Sequence, residues 1–172
     1  MLQKLHSLFV NNALLNTVDN VCGAIARLIT TNPASVPLNQ VLPSFFTALP
    51  LKVDHSENKA VFNCIFFLFS TQTELVSLSF PRPQTVTTCG TLFVDLNKTP
   101  SFLFQMFSNL PRLFSIFAAV LGEPDTQLVA PTRVGLLSLI QSVSAQRNDL
   151  FTQAVASLSE YERSVLAKAI TQ

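Results

Sequence analysis

Apolar residues recur along this chain every three to four positions, the spacing that keeps one stripe of an α-helix turned toward a core. Leu2, Leu5, Leu8 or Phe9, and Leu15 stripe a first helix. Val21, Ile25, Leu28 and Ile29 stripe a second, predicted to begin near Asp19 with that residue as its N-cap, so that the two form an αα hairpin. A loop at 31–37 leads to a third helix over 38–49 that carries Pro43 in its early turns. A fourth follows at once, because Asp54 and Glu57 have capping-box spacing, with Asp54 as N-cap and His55 as the first helical residue. Val61, Phe62, Ile65, Phe66, Leu68 and Phe69 cover most of its circumference, which suits a helix held between neighbours. Later helices are predicted over 110–121, stopped by Gly122-Glu123-Pro124-Asp125, and over 132–145, striped by Leu136, Ile140 and Val143. Two short helices close the chain: 149–157, with Leu150, Ala154 and Leu158, and 160–169, with Tyr161, Val165 and Ala169. Ser159 and Glu162 form a capping box at the start of the last one.

A weak internal repeat organises these helices. The pattern Leu-x-x-(apolar)-Phe-x occurs at 5–10, 42–47 and 110–115. The first two copies start 37 residues apart, from 5 to 42, near the roughly 40-residue period of two-helix HEAT or armadillo units, whereas the next step, from 42 to 110, is 68. The excess matches a segment of different composition, 76–108, which holds three prolines, five threonines and five phenylalanines but only Arg82, Asp95 and Lys98 as charges. Removing its 33 residues restores a step of 35. The expected architecture is therefore all-α, a HEAT/armadillo-type α-solenoid of about three helical hairpins plus a C-terminal capping hairpin, interrupted by an irregular insertion. Residues 1–75 form two hairpins, 76–108 the insertion, and 109–172 a further repeat with the capping helices.

Composition narrows the function. Charged residues make up 12% of the 172, about half the ~25% usual in a soluble domain, and the net charge is +1. Nothing there favours phosphate-backbone binding, so no nucleic-acid partner is expected. Low charge and Phe-rich stretches motivate one alternative, a small helical membrane-associated protein. Against it, the longest apolar stretch, 101–122, contains Gln105, Asn109, Pro111 and Arg112, and no membrane contact is expected. Lys4, His6, Asn11 and Asn12 interrupt the start of the chain, unlike a signal sequence, and an intracellular location is expected. Cys22, Cys64 and Cys89 are odd in number and widely spaced, which fits a reducing compartment rather than a disulfide framework.

No catalytic constellation stands out. His6 and His55 lack metal-ligand spacing, although Asp54 and Glu57 flank His55, and the four glycines form neither a nucleophile elbow nor a phosphate loop. An enzyme is not expected, nor any metal or cofactor. The Asn97-Lys98-Thr99 triplet, followed by Pro100, is read as a chance glycosylation match, and the Phe62, Phe66, Phe67 and Phe69 cluster as core packing. The polar residues that invite a function are Asp19, Asn20 and Arg27, with Glu57 added as a fourth candidate for protein binding. Asp19 and Arg27 sit about two turns apart on roughly one side of a helix, so they form either a cap with a polar ladder between repeats or a direct partner contact.

The run Asp19-Asn20-Val21-Cys22-Gly23-Ala24-Ile25-Ala26-Arg27-Leu28 resembles the last regular repeats of the importin-beta (karyopherin-beta) nuclear transport receptors. The likeness continues through Val41-Leu42-Pro43 and Ala48-Leu49-Pro50-Leu51-Lys52, resumes at Leu110, and covers about four-fifths of the chain. It implies a HEAT-repeat solenoid whose inner helices line a concave surface for protein cargo such as histones or ribosomal proteins, with nucleoporins as a further partner class and a place in cytoplasm and nucleus. Such receptors are several times longer and bind the Ran GTPase through N-terminal repeats without a counterpart here. The expectation is thus a non-enzymatic C-terminal fragment of an import receptor that lacks the Ran GTPase site. The family has no counterpart to 76–108, and an unspliced intron would explain it: Val76-Ser77 fits a splice donor read in frame, and the Phe, Leu, Ser and Pro of 100–108 fit a pyrimidine-rich acceptor tract.

Overall fold

The computed structural model describes residues 14–79, 108–122 and 127–171. Among them lie seven α-helices and no strand: α1 (Leu15–Thr31), α2 (Leu38–Ala48), α3 (Asn58–Ser79), α4 (Leu110–Gly122), α5 (Ala130–Gln146), α6 (Asn148–Ala156) and α7 (Glu160–Ile170). Two single 3-10 turns, Pro33–Ser35 and His55–Glu57, precede α2 and α3. The all-α, HEAT-like solenoid is what this arrangement builds. Helices α1, α3, α5 and α7 pack in sequence as one row, and α4 packs on α6 in the other, with α2 against α1 and α4 against α7 bridging the rows.

The repeat motif is the buried face of the second row. Leu42, Phe45 and Phe46 of α2 are enclosed, and so are Leu110, Leu113 and Phe114 of α4, the third copy of the same motif. These two copies, unlike the one at 5–10, have Pro directly after the leucine, and Thr47 Oγ1 donates back to the Pro43 carbonyl at 2.8 Å. The first row contributes Val21, Ile25 and Ile29 from α1, and Val61, Phe62, Ile65 and Leu68 from α3, to the same core. Phe62 meets Phe117 of α4 with ring centroids 6.2 Å apart, so the rows are joined by aromatic packing, and the cluster of phenylalanines is core. Gly135 lets α5 approach α3, since a Cβ there would stand 2.8 Å from the Phe66 ring.

The structure departs from the sequence reading in four places. Helix α1 starts at Leu15, a turn before Asp19, which makes Asp19 an interior helical residue and not an N-cap. Leu14 holds the N-cap position with no side-chain hydrogen bond. The helix striped from Leu2 lies outside the described residues except for its end. The box at Asp54 and Glu57 is half made: Asp54 accepts from the Ser56 N–H, and the helix proper begins only at Asn58, behind a 3-10 turn. Tyr161, assigned to the apolar stripe of α7, is 67% exposed, because Leu166 and Ala169 supply the buried face and Tyr161 leans over the end of α4 beside Gly122. Helix α3 runs through Ser79, so 76–79 of the segment read as irregular is helical, and 80–107 lies outside the described residues, as does most of the stop sequence after Gly122. Among the described residues no helix is long and apolar enough to cross a membrane.

Candidate functional site

Asp19, Gly23 and Arg27 follow each other at four-residue steps, which places them on one face of α1 against the loop that leads into α3. Asp19 is completely buried. Its carboxylate accepts the backbone N–H groups of three consecutive residues: Lys52 at 3.1 Å, Val53 at 2.7 Å and Asp54 at 2.9 Å. A buried charge is tolerated when its lone pairs are filled in this way, and here the donors are amides that would otherwise have no partner near the start of a helix. The same contact explains the half-made box. Asp54's N–H is given to Asp19, so the Glu57 side chain is not needed there and turns toward α1.

Glu57 meets Arg27 as a two-pronged pair, Nη1 to Oε2 at 2.5 Å and Nη2 to Oε1 at 2.8 Å. Gly23 is the reason it fits. A Cβ on Gly23 would stand 1.8 Å from Glu57 Oε2, so only glycine lets the carboxylate lie against the helix. The Glu57 side chain is 14% exposed and that of Arg27 55%, so water reaches the guanidinium and screens much of the attraction. Below Asp19, Cys22 is fully enclosed, and burial with the nearby Asp19 charge pushes its thiol up to about 12. Cys64 on α3 is raised to about 12 by burial alone. Neither thiol is set up as a nucleophile.

Of the four residues singled out by the sequence, Arg27 and Glu57 meet directly and Asp19 braces the loop that carries Glu57. Asn20 stands apart on the exposed side of α1, donating to the Asn16 carbonyl at 2.9 Å. A shallow groove of about 320 Å³ opens beside the ion pair, lined by Arg27, Thr30, Ser56, Glu57, Lys59, Ala60 and Asn63. Lys59 and Asn63 are exposed side chains that sequence reasoning missed; their signal is their four-residue spacing on the polar face of α3. Gly23 was missed too, although its place midway between Asp19 and Arg27 marked it. Hydroxyl, amide and paired charges there can hydrogen-bond a polypeptide. Among the described residues no group of three His, Cys, Asp or Glu is arranged to hold a metal.

A second polar cluster lies at the other end of the stack. Ser159 caps α7 with both arms of its box in place, accepting from the Glu162 N–H while the Ser159 N–H donates to the Glu162 carboxylate. The Ser115 hydroxyl of α4 donates to that same carboxylate at 2.5 Å. Ser115 first, then Ser159, holds the Glu162 carboxyl below its ordinary value.

No family model matches the chain. It is similar to the "Probable importin subunit beta-4" of Schizosaccharomyces pombe, 29% identical over 146 residues that make up 85% of this chain and 11% of that protein. It is similar also to human Importin-4, 29% identical over 140 residues, 81% of this chain and 10% of the relative, and to mouse Importin-4, 29% identical over 141 residues. The chain spans about a tenth of the length of these relatives. Together they support an importin-beta, importin-4-like relationship.

Proposed function

We propose that this importin-beta-like chain works as part of a nuclear import receptor, a non-enzymatic HEAT-type scaffold that holds protein cargo on the exposed face of α1 and α3. The observation that carries the reading is that the likeness to import receptors spans helices that stack in two rows and leave a polar, water-accessible face between α1 and α3. Asn20, Arg27 and Glu57 are assigned to cargo contact, and Asp19 to positioning the loop behind them. Histones and ribosomal proteins are the cargo classes that the resemblance implies, nucleoporins a further partner class, and cytoplasm and nucleus the compartments. With a net charge of +1, the chain has little long-range field to steer a charged cargo. Short-range hydrogen bonding must then supply the affinity.

The test is a titration of the purified chain with fluorescently labelled histone H3–H4, a ribosomal protein and GTP-loaded Ran. Saturable binding of at least one cargo is expected, with shallow salt dependence and about tenfold weakening in an Asn20→Ala, Arg27→Ala variant. GTP-loaded Ran is expected not to bind. Absence of cargo binding, or cargo binding unchanged in the variant, overturns the assignment.

A further inference from the structure

The groove beside Arg27 and Glu57 presents a ligand with positive charge and open hydrogen-bond donors. Glu57 is the one carboxylate in its lining, and both oxygens are taken by Arg27. The hydroxyl protons are spent as well: Thr30 donates to the Ala26 and Arg27 carbonyls, and Ser56 to the Asp54 carboxylate. A guanidinium carries five N–H groups in a planar fork. The end-on pair with Glu57 occupies two, so three stay open on a side chain that is half exposed. Lys59 and Asn63, one turn apart on α3, stand exposed in the same groove, and among the described residues neither the ammonium nor the amide has a hydrogen-bond partner.

Charge points the same way. Arg27 and Lys59 against Glu57 leave one unit of positive charge on the lining. The other acids of α1 and of the loop that leads into α3 are committed inside the fold, Asp19 to three loop amides and Asp54 to the N–H and hydroxyl of Ser56. Lys52, on the same loop, is exposed. A cargo lysine or arginine entering the groove would meet two like charges and find the carboxylate occupied. An acidic side chain would meet the open edge of the Arg27 fork, whose geometry suits a planar carboxylate, with the Lys59 ammonium as a second cationic donor. One carboxylate also balances the single surplus charge, which a dianionic phosphate would exceed.

Resting on the reading of this groove as a cargo contact, we propose that the residue it takes from cargo is acidic. An aspartate or glutamate side chain of the cargo polypeptide enters, its carboxylate held by the free edge of Arg27 and by Lys59, with Asn63 donating alongside. Basic segments of a histone or a ribosomal protein then lie outside this groove.

The probe is an acetylated and amidated Gly-Glu-Gly-Glu-Gly peptide, titrated into the nitrogen-15-labelled full chain and followed by NMR, with versions carrying Gln or Lys in place of Glu as controls. The Glu peptide is expected to shift the Arg27 Nε–H signal and the backbone amides of 56–63 saturably, binding roughly tenfold more tightly than the Gln peptide. The Lys peptide is expected to leave these signals in place. Lys59→Ala should weaken Glu-peptide binding roughly tenfold, whereas Lys52→Ala, which removes an equal charge outside the groove, should weaken it by less than about twofold. Both side chains are exposed, and unmoved amide signals from the buried turns of α3 verify that each variant is folded. Equal binding of the Gln or the Lys peptide overturns the proposal, as does a loss in Lys59→Ala no larger than that in Lys52→Ala. The cargo reading fails separately. Histone H3–H4 binding that weakens in Asn20→Ala, Arg27→Ala while the Glu peptide shifts nothing supports the cargo contact and overturns the acidic preference. A Glu peptide that binds a chain to which no cargo binds supports the acidic preference and overturns the cargo contact.

Discussion

The junction between α1 and α3 and the junction between α4 and α7 solve one problem in opposite ways. Both must join helices of neighbouring hairpins, and both use a carboxylate. At the first, Asp19 is fully buried and takes three amide donors from a loop more than thirty residues away, at 52–54. At the second, Glu162 sits near water, caps its own helix and receives two hydroxyls, those of Ser115 and Ser159. At the first junction α1, α3 and the loop at 52–54 close around the charge, whereas at the second the carboxylate stays within reach of water. Buried apolar residues follow the same gradient, dense in α3 and α4 and reduced to Ala154 in α6 and to Leu166 and Ala169 in α7.

If enclosure makes the first junction strong, its carboxylate is the most costly to remove. Asp19→Ala leaves three loop amides without their acceptor and should cost about 3 kcal/mol in urea unfolding. Cys22, packed beside Asp19, should then react with alkylating reagents at neutral pH, whereas in the unaltered chain its thiol, pushed up to about 12, resists them until denatured.

Gly23→Ala separates the packing of this junction from its helix propensity. Alanine favours a helix interior by about 1 kcal/mol over glycine, yet its Cβ would displace Glu57. The substitution should destabilise the unaltered chain by about 1 kcal/mol, since lost packing and the disturbed pair outweigh propensity. In a Glu57→Ala background the sign should reverse, giving a gain approaching 1 kcal/mol. Equal effects in both backgrounds would mean that Gly23 and Glu57 are not in contact.

The terminal junction should respond less. Ser159→Ala is expected to cost about 1 kcal/mol through loss of the cap. Glu162 is held below its ordinary value when folded, so it contributes stability above its unfolded titration, from about pH 5 upward, and that contribution is lost as pH falls through the folded value. The stability difference between the chain and Glu162→Gln should therefore shrink on acidification below about pH 4. A constant difference down to strongly acidic pH would break the comparison.

What the sequence made legible was local. Helical periodicity located the helices, missing on the stripe of α7 where Tyr161 is exposed, and the Leu-Pro-x-x-Phe repeats pointed to the residues that α2 and α4 bury, Leu42 and Phe45 among them. The Ser159 and Glu162 box was readable because its partners are three residues apart. The first junction was harder. Asp19 followed by Asn20 carries the signature of a helix start, and nothing local betrays that the helix begins at Leu15 or that the acceptor serves Lys52, Val53 and Asp54. Glu57 had a plausible partner three residues back, and a residue thirty positions away, Arg27, took it instead. Long-range satisfaction of buried polar groups overrode the local pattern at both positions.

Amide hydrogen exchange at Lys52, Val53 and Asp54 tests the enclosed junction most directly, because the Asp19 carboxylate accepts from all three loop amides. Exchange at these positions is expected to be nearly as slow as in the buried turns of α3, slower than at Ser159 and Glu162, and to accelerate by a factor of a hundred or more in Asp19→Ala, corresponding to roughly 3 kcal/mol of lost protection. Fast exchange of the three amides in the unaltered chain, matching that at Ser159, would contradict the account.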